Sequence, residues 1–266
     1  MIARRRMDET QSIEAREGQR LASGDRILRA AYDPSGLAIS ETMRSRSRSL
    51  QQANRNTVDG VSLIQVAEGS LGTMQDMAAR LKELAMQSAT DTYNDSERSF
   101  IEREFRGLVH EIQRVAATTE YNGTKVLDGS AKSYDLQIGI HGDAESSRLS
   151  YDLKKVLASF SGLSVNGASV SSKFSAQNSL TKIDSFIQQV SHGRAFLGSF
   201  QNRLLAASSN LSIMDENTQA SNSKIRDTDV AVATAERVKA QINGEAARMM
   251  LKKTGEVPRN VQKLLD

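Results

Sequence analysis

Apolar positions recur every seven residues through the first third of the chain, at Leu50, Thr57, Ile64, Leu71, Ala78 and Ala85. A second series runs three residues behind it, at Ala53, Gly60, Ala67, Met74, Leu81 and Ser88. Two interleaved seven-residue series make a narrow seam that keeps facing one partner, the pattern of a coiled coil. No proline interrupts the stretch from Leu37 to Ala89, so the spacing predicts one helix over 37–89. At about 1.5 Å per residue, some 50 residues extend about 75 Å. The polar run Thr90 to Glu97 offers Asp95 or Ser96 as an N-cap. Ile101, Phe105, Leu108, Ile112, Val115 and Thr119 then alternate at spacings of four and three, which predicts a second helix over 95–119. Asn122-Gly123 ends it in a tight turn, and the short connection makes the two helices antiparallel neighbours.

Period two follows. Tyr134, Leu136, Ile138 and Ile140 alternate with polar residues, and so do Leu149, Tyr151 and Leu153 beyond a Gly-Asp turn. This predicts a β-hairpin over 134–153 with one buried face. Residues 159–179, rich in Ser and Gly, read as a loop. A third long helix is expected over 181–232 from the series Ile183, Val190, Leu197, Leu204, Leu211, Thr218, Ile225, Val232. Pro258 sets a boundary near Gly255, after which a short amphipathic helix restarts. The fold class is therefore mainly α: a long antiparallel coiled-coil helical rod, 37–232, with a small β-hairpin region. Segment 1–36 is short and charged, and 233–266 is helical. Both flanking segments are expected to order only on assembly, because their apolar stripes lack a partner within the chain and ordering costs about 1 to 2 kcal/mol per residue.

Composition narrows the chemistry. In 266 residues there is no Cys and no Trp, and only two Pro, which excludes disulfides, thiolate metal sites and cysteine nucleophiles. A net charge of +3 is a near balance of 35 basic and 32 acidic residues, as expected of ion-paired helical surfaces. Arg44, Arg46 and Arg48 spread over two helix faces without interleaved aromatics, so they form neither a phosphate-tracking stripe nor a stacking platform. His110, His141 and His192 are far apart, and His110-Glu111 lacks the second histidine of a zinc helix. No phosphate loop, dinucleotide fingerprint or nucleophile elbow is present. The reading is a non-enzyme without cofactor, without a membrane span and without a cleaved secretory signal.

Two groups of residues stand out as surfaces. Arg80, Leu84 and Gln87 share one face of the first long helix outside the heptad seam, which predicts a face free for subunit contacts. Val261, Leu264 and Leu265 fall on one face of the last segment, an apolar stripe expected to be buried on assembly.

Several ordered segments resemble bacterial flagellin. Leu21-Ala22-Ser23-Gly24-Asp25-Arg26-Ile27 is similar to its LSSGxRI element, and Asp33-Pro34-Ser35-Gly36-Leu37-Ala38-Ile39-Ser40-Glu41 to DDAAGLAISE. Arg80 to Ala89 carries RxxELAxQ. Thr119 to Gly129 resembles TEFNGxKLLDG, Ile225 to Ala231 resembles IRDxDxA, and Pro258 to Leu265 resembles the PxxVLxLL close. The resemblance implies a structural subunit that polymerises with itself into a filament for motility, with 1–36 and 233–266 as inner-tube segments. It implies export unfolded through the flagellar apparatus to the cell exterior, or to the periplasm for a spirochaete type. Implied partners are an export chaperone covering Val261, Leu264 and Leu265, the filament cap, and the hook–filament junction proteins. The Arg80, Leu84, Gln87 surface would lie between protofilaments and face an innate immune receptor. The chain departs from the pattern in a short charged segment before Leu21, where the family has a long apolar helix. Pro34 is similar to the DDPxG of hook–filament junction proteins, which stay as an alternative; the Asn122-Gly123 turn and the Pro258 ending favour flagellin. A basic coiled-coil adaptor for nucleic acid or an acidic partner is the remaining alternative.

Overall fold

The computed structural model describes residues 2–127, 134–143, 147–151 and 167–265, with backbone alone for residues 2, 3, 151 and 254–265. Five helices lie among the described residues: α1 (Ile2–Ser23), α2 (Pro34–Ser88), α3 (Asp95–Thr118), α4 (Lys173–Arg226) and α5 (Val230–Leu265). Two small antiparallel sheets accompany them, β1 (Glu120–Tyr121) with β2 (Thr124–Lys125), and β3 (Tyr134–Gln137) with β4 (Arg148–Tyr151). The protein is thus mainly α with a small hairpin region. Its backbone divides into a central unit, Ser49–Met214, and a terminal unit built from Met1–Arg48 and Asp215–Asp266.

In the central unit α2 and α4 run antiparallel. Lys82 pairs with Asp184 at 2.6 Å, Arg194 donates to Gln75 at 2.7 Å, and Ser208 donates to Asn54 at 2.6 Å. Every residue of the two interleaved series from Leu50 to Ser88 is buried, as a seam facing one partner requires. Ile183, Val190, Leu197, Leu204 and Leu211 are buried from the α4 side. The helix α3 joins the end of this pair: Arg98 donates to the Ser88 carbonyl at 3.1 Å and Thr119 to Ser70 at 3.0 Å, so α3 is antiparallel to α2. Its Phe105 and Ile112 enter the same core as Phe186 and Leu81. Asn94, not Asp95 or Ser96, is the α3 N-cap. Its side chain accepts from the Glu97 N–H while the Glu97 carboxylate accepts from the Asn94 N–H, both at 2.9 Å.

After α3 the chain reverses at Asn122 (φ 50°) and Gly123 (φ 76°). Two successive positive φ angles make the turn that matches strand twist, and Gly adopts one without steric cost. In the second hairpin Tyr134 pairs in register with Tyr151 and Leu136 with Leu149, which puts Leu136 and Leu149 on one side. Leu136 packs over Gly60, where a Cβ would stand 2.5 Å from its methyl. Of the hairpin expected over 134–153, residues 144–146 and 152–153 lie outside the described residues, as does 159–166 of the Ser-rich loop.

The rest of that loop differs from expectation. Helix α4 begins at Lys173, eight residues before Thr181. Ser172 accepts from the Ser175 N–H at 3.2 Å, and the buried Ser179 hydroxyl donates to the Ser169 carbonyl at 2.8 Å. Serines that cap a helix or bond within its seam do not break it.

In the terminal unit α1 lies antiparallel to α5. Gln241 donates to Glu14 at 3.0 Å, and Thr10 sits against Gly244. Residues 2–23 are thus helical where a short charged segment was expected to lack a partner. Their seam is small and polar: Ala233, Ala240 and Gly244 on α5, with Glu17 buried on α1 between Arg16 and Arg20, each at 3.0 Å. The single helix expected over 181–232 is two. Asp229 accepts from the N–H groups of Ala231 (2.9 Å) and Val232 (3.1 Å), capping a new helix, α5. Val232, the last of the heptad series, is consequently exposed. No boundary occurs near Gly255, because α5 continues to Leu265 through Pro258. A proline inside a helix removes one ladder hydrogen bond at a cost of about 3 kcal/mol, which can bend a long helix rather than end it.

Candidate assembly surfaces

Arg80, Leu84 and Gln87 do not form one open face. Arg80 is exposed and reaches across to α3, 2.8 Å from Glu104, while also pairing with Glu83 at 2.9 Å. Those bonds, Glu104's first, raise its pKa further. Gln87 is exposed and donates to the Tyr93 hydroxyl at 3.0 Å. Leu84 is only 1% exposed and belongs to the core shared with Ile101 and Phe105. Its expected place outside the seam is corrected for a physical reason. A two-helix seam uses two positions per heptad, but where α3 adds a third helix the apolar stripe widens by one position, and Leu84 fills it.

Val261, Leu264 and Leu265 lie in α5, their side chains outside the described residues. Upstream on the same helix is a stripe that the sequence reading missed. Val230, Val238, Ile242 and Met249 are between 47% and 71% exposed. Val230, Val238 and Ile242 lie on one open stretch of the α5 surface with Ala231, Thr234 and Ala235. At 3.6 residues per turn Val238, Ile242 and Met249 point away from Ala233, Ala240 and Gly244. Helix α5 thus has two apolar faces, a small-residue face against α1 and a bulkier one that none of the described residues covers. The spacings of four and seven were the available signal, hidden because the heptad series was followed to Val232 without a break.

A third arrangement joins the two ends of the chain. Asp25 and Asp227 form an isolated antiparallel bridge, with the Arg26 N–H donating to the Arg226 carbonyl at 2.6 Å and the Thr228 N–H to the Gly24 carbonyl at 2.8 Å. The Arg226 guanidinium lies 2.7 Å from Glu41 and 3.1 Å from Asp25. Arg26 in turn donates to the Ile225 carbonyl at 2.8 Å, and Ser223 donates to Asp227. The two motifs around Arg26 and Arg226, some two hundred residues apart in sequence, are therefore halves of one clasp.

The clasp is expected to weaken in acid. The hydrogen bond from Arg226 holds the Glu41 carboxyl below its ordinary value near 4.5, and the Gly36 N–H, then Ser35, hold Asp33 below 3.8. A carboxyl with a lowered folded pKa contributes stability that is present above its ordinary value and lost as pH falls through the lowered one. Protease cleavage of the terminal unit is therefore expected to rise below about pH 4, and Glu41→Gln should flatten that rise. Cleavage independent of pH between neutrality and pH 3 would contradict it.

His110, His141 and His192 are exposed and lie on α3, on the β3–β4 connection and on α4. Among the described residues no helix is long and apolar enough to cross a membrane. Comparison with known proteins matches residues 1–132 to the bacterial flagellin N-terminal helical region and residues 180–265 to the bacterial flagellin C-terminal helical region. The flagellin of Halalkalibacterium halodurans is 38% identical over 93% of this chain and 90% of its own length. The flagellar filament 31.3 kDa core protein of Treponema maltophilum is 35% identical over 100% of this chain and 96% of its own. Among solved structures, Bacillus cereus flagellin aligns with a TM-score of 0.50 at 28% identity, covering 59% of this chain and 88% of that one. A putative flagellar hook-associated protein of Vibrio parahaemolyticus shares the fold, with a TM-score of 0.57 at 13% identity over 74% of this chain and 100% of that one. With both helical ends matched and relatives aligned along almost its whole length, the chain belongs to the bacterial flagellin family.

Proposed function

We infer that this chain is a structural subunit of a bacterial flagellar filament and polymerises with copies of itself for motility. The observation that carries the reading is the outward apolar face of α5. Burying one Val, Ile or Met side chain contributes roughly 1.5 to 3 kcal/mol, and Val238, Ile242 and Met249 stand open there. Val261, Leu264 and Leu265 form a separate apolar stripe, which a chaperone covers before export without a cleaved signal. Arg80 and Gln87, on the rim of the α2–α3 pair, lie at subunit contacts and toward an immune receptor. The filament cap and junction proteins meet the subunit at the growing end and the base. Both flanking segments, 1–36 and 233–266, gain their full order on assembly, outside the cell or in a periplasm. A role as a hook–filament junction protein has the support only of the DDPxG-like segment at Pro34 and of a shared fold.

Deleting residues 258–266 tests this. The truncated chain should fail to sediment with seed filaments and should bind the chaperone more weakly, while the circular dichroism of the central unit is kept. Normal incorporation by the truncated chain would refute the stripe.

A further inference from the structure

The outward face of α5 carries one side chain whose polarity can be changed by chemistry. Of the nine methionines in the chain, Met249 and Met250 are the two most exposed of the described ones, at 71% and 68%, whereas Met74 is fully buried in the central core. Met249 falls within about 40° of Val238 and Ile242 around the helix, inside the apolar stripe. Met250 stands about 100° further round, where it lines a hollow between α1 and α5 with Thr10 and Ile13. Lys252 and Lys253, both exposed, come three and four residues after Met249 and are its neighbours on the helix surface. A hydroperoxide converts such a thioether to a sulfoxide. A sulfur lone pair attacks one peroxide oxygen, the S–O bond forms as the O–O bond breaks, and with hydrogen peroxide the departing oxygen takes up the remaining proton and leaves as water. Sulfur is oxidised by two electrons and the peroxide is reduced by two. The new oxygen is an acceptor for the Lys252 or Lys253 ammonium, so the product stays on the helix surface as a polar, hydrogen-bonded group.

We propose that Met249 is an oxidation site at which a hydroperoxide, acting on the free subunit, switches off its incorporation into the filament. A second copy covering the stripe buries a flexible apolar thioether when Met249 is unmodified. After oxidation it must bury a sulfoxide together with the lysine bonded to it, which is unfavourable without new partners. This regulation rests on the reading of the outward α5 face as a subunit contact. It also makes the assembled chain resistant, since the contact that oxidation blocks is the one that covers the sulfur.

The test treats the full chain, free or in filaments grown on seeds, with dilute hydrogen peroxide and reads oxygen uptake at each methionine by peptide mass spectrometry. In the free chain Met249 should react about tenfold or more faster than Met74, and in filaments its rate should fall by a similar factor. The treated free chain should lose seeded incorporation while keeping its helical signal by circular dichroism. Met249→Leu should retain after treatment most of the incorporation it shows before treatment, whereas Met250→Leu and Met86→Leu should lose theirs as wild type does. Equal rates at Met249 and Met74 in the free chain, an undiminished rate at Met249 in filaments, incorporation of wild type already oxidised at Met249, or equal loss in Met249→Leu would overturn the proposal. So would loss of the helical signal on treatment, because incorporation would then fail through unfolding. Failure of untreated wild type to incorporate would count against the filament reading instead, and the order of oxygen uptake in the free chain would still decide whether Met249 is the site.

Discussion

Leu84→Ala is expected to destabilise the central unit by about 3 kcal/mol, within the range for truncating a buried leucine whose surroundings collapse only in part. For a unit of this size each kcal/mol moves the melting temperature by roughly 2 to 4 °C, so a fall of about 6 to 12 °C should be seen in a thermal melt. The side chain is 1% exposed and packs into a core shared by α2, α3 and α4, with Phe105 and Phe186 among its members. Arg80→Ala and Gln87→Ala, its neighbours in the same motif, should each cost less than about 1 kcal/mol, because both side chains are exposed and their partners stay hydrated when released. The contrast separates a core role from a surface role within one short motif. An unchanged melting temperature for Leu84→Ala would return Leu84 to the surface.

Leu84 also shows where the sequence stops being legible. A seven-residue period reports that a helix faces one partner, and from Leu50 to Ser88 each residue of that period is buried. It does not report a third helix, since α3 brings its own four-and-three pattern without announcing which side of α2 it covers. The α4 series failed similarly. Ile183 through Leu211 are buried, but periodicity carries no stop signal, and the Asp229 cap that opens α5 was absorbed into the pattern. Missing that cap shifted attention from the face carrying Ile242 and Met249, although each of those residues was in view.

The clasp marks a different limit. The segments around Gly24 to Ile27 and Ile225 to Asp229 were each identified by resemblance, yet a single sequence gives no reason to join them. Their bonds run between backbone groups, such as the Arg26 N–H to the Arg226 carbonyl, and a backbone bond leaves no trace in residue type. Only the charges hinted at it: Arg226 finds carboxylates at Asp25 and Glu41, both within the matched motifs.

Removing one buried carboxylate should have an effect comparable to the loss of Leu84. Glu102 lies in the α3 face turned toward the core, where one oxygen accepts from the buried Val170 N–H at 2.5 Å. The other accepts from Arg106 at 2.7 Å and from the Ser169 hydroxyl at 3.1 Å. On the far side of the same strand of chain, Ser88 donates to the Val170 carbonyl at 2.5 Å. Val170, fully buried, is thus held by both of its backbone groups just before α4 begins, and the register of α4 against α2 starts from that point. Glu102→Ala would leave a buried N–H without an acceptor, a penalty of about 1 to 3 kcal/mol, and would delete charge-assisted bonds worth about as much again. A loss near 3 kcal/mol in urea unfolding is therefore expected, with faster hydrogen exchange at Val170 and the first turn of α4. Glu102→Gln, which keeps an oxygen for the Val170 N–H, should recover part of that stability and most of the protection at Val170. If the alanine and glutamine variants lose stability equally and exchange at Val170 is unmoved in both, the carboxylate is not what fixes the start of α4.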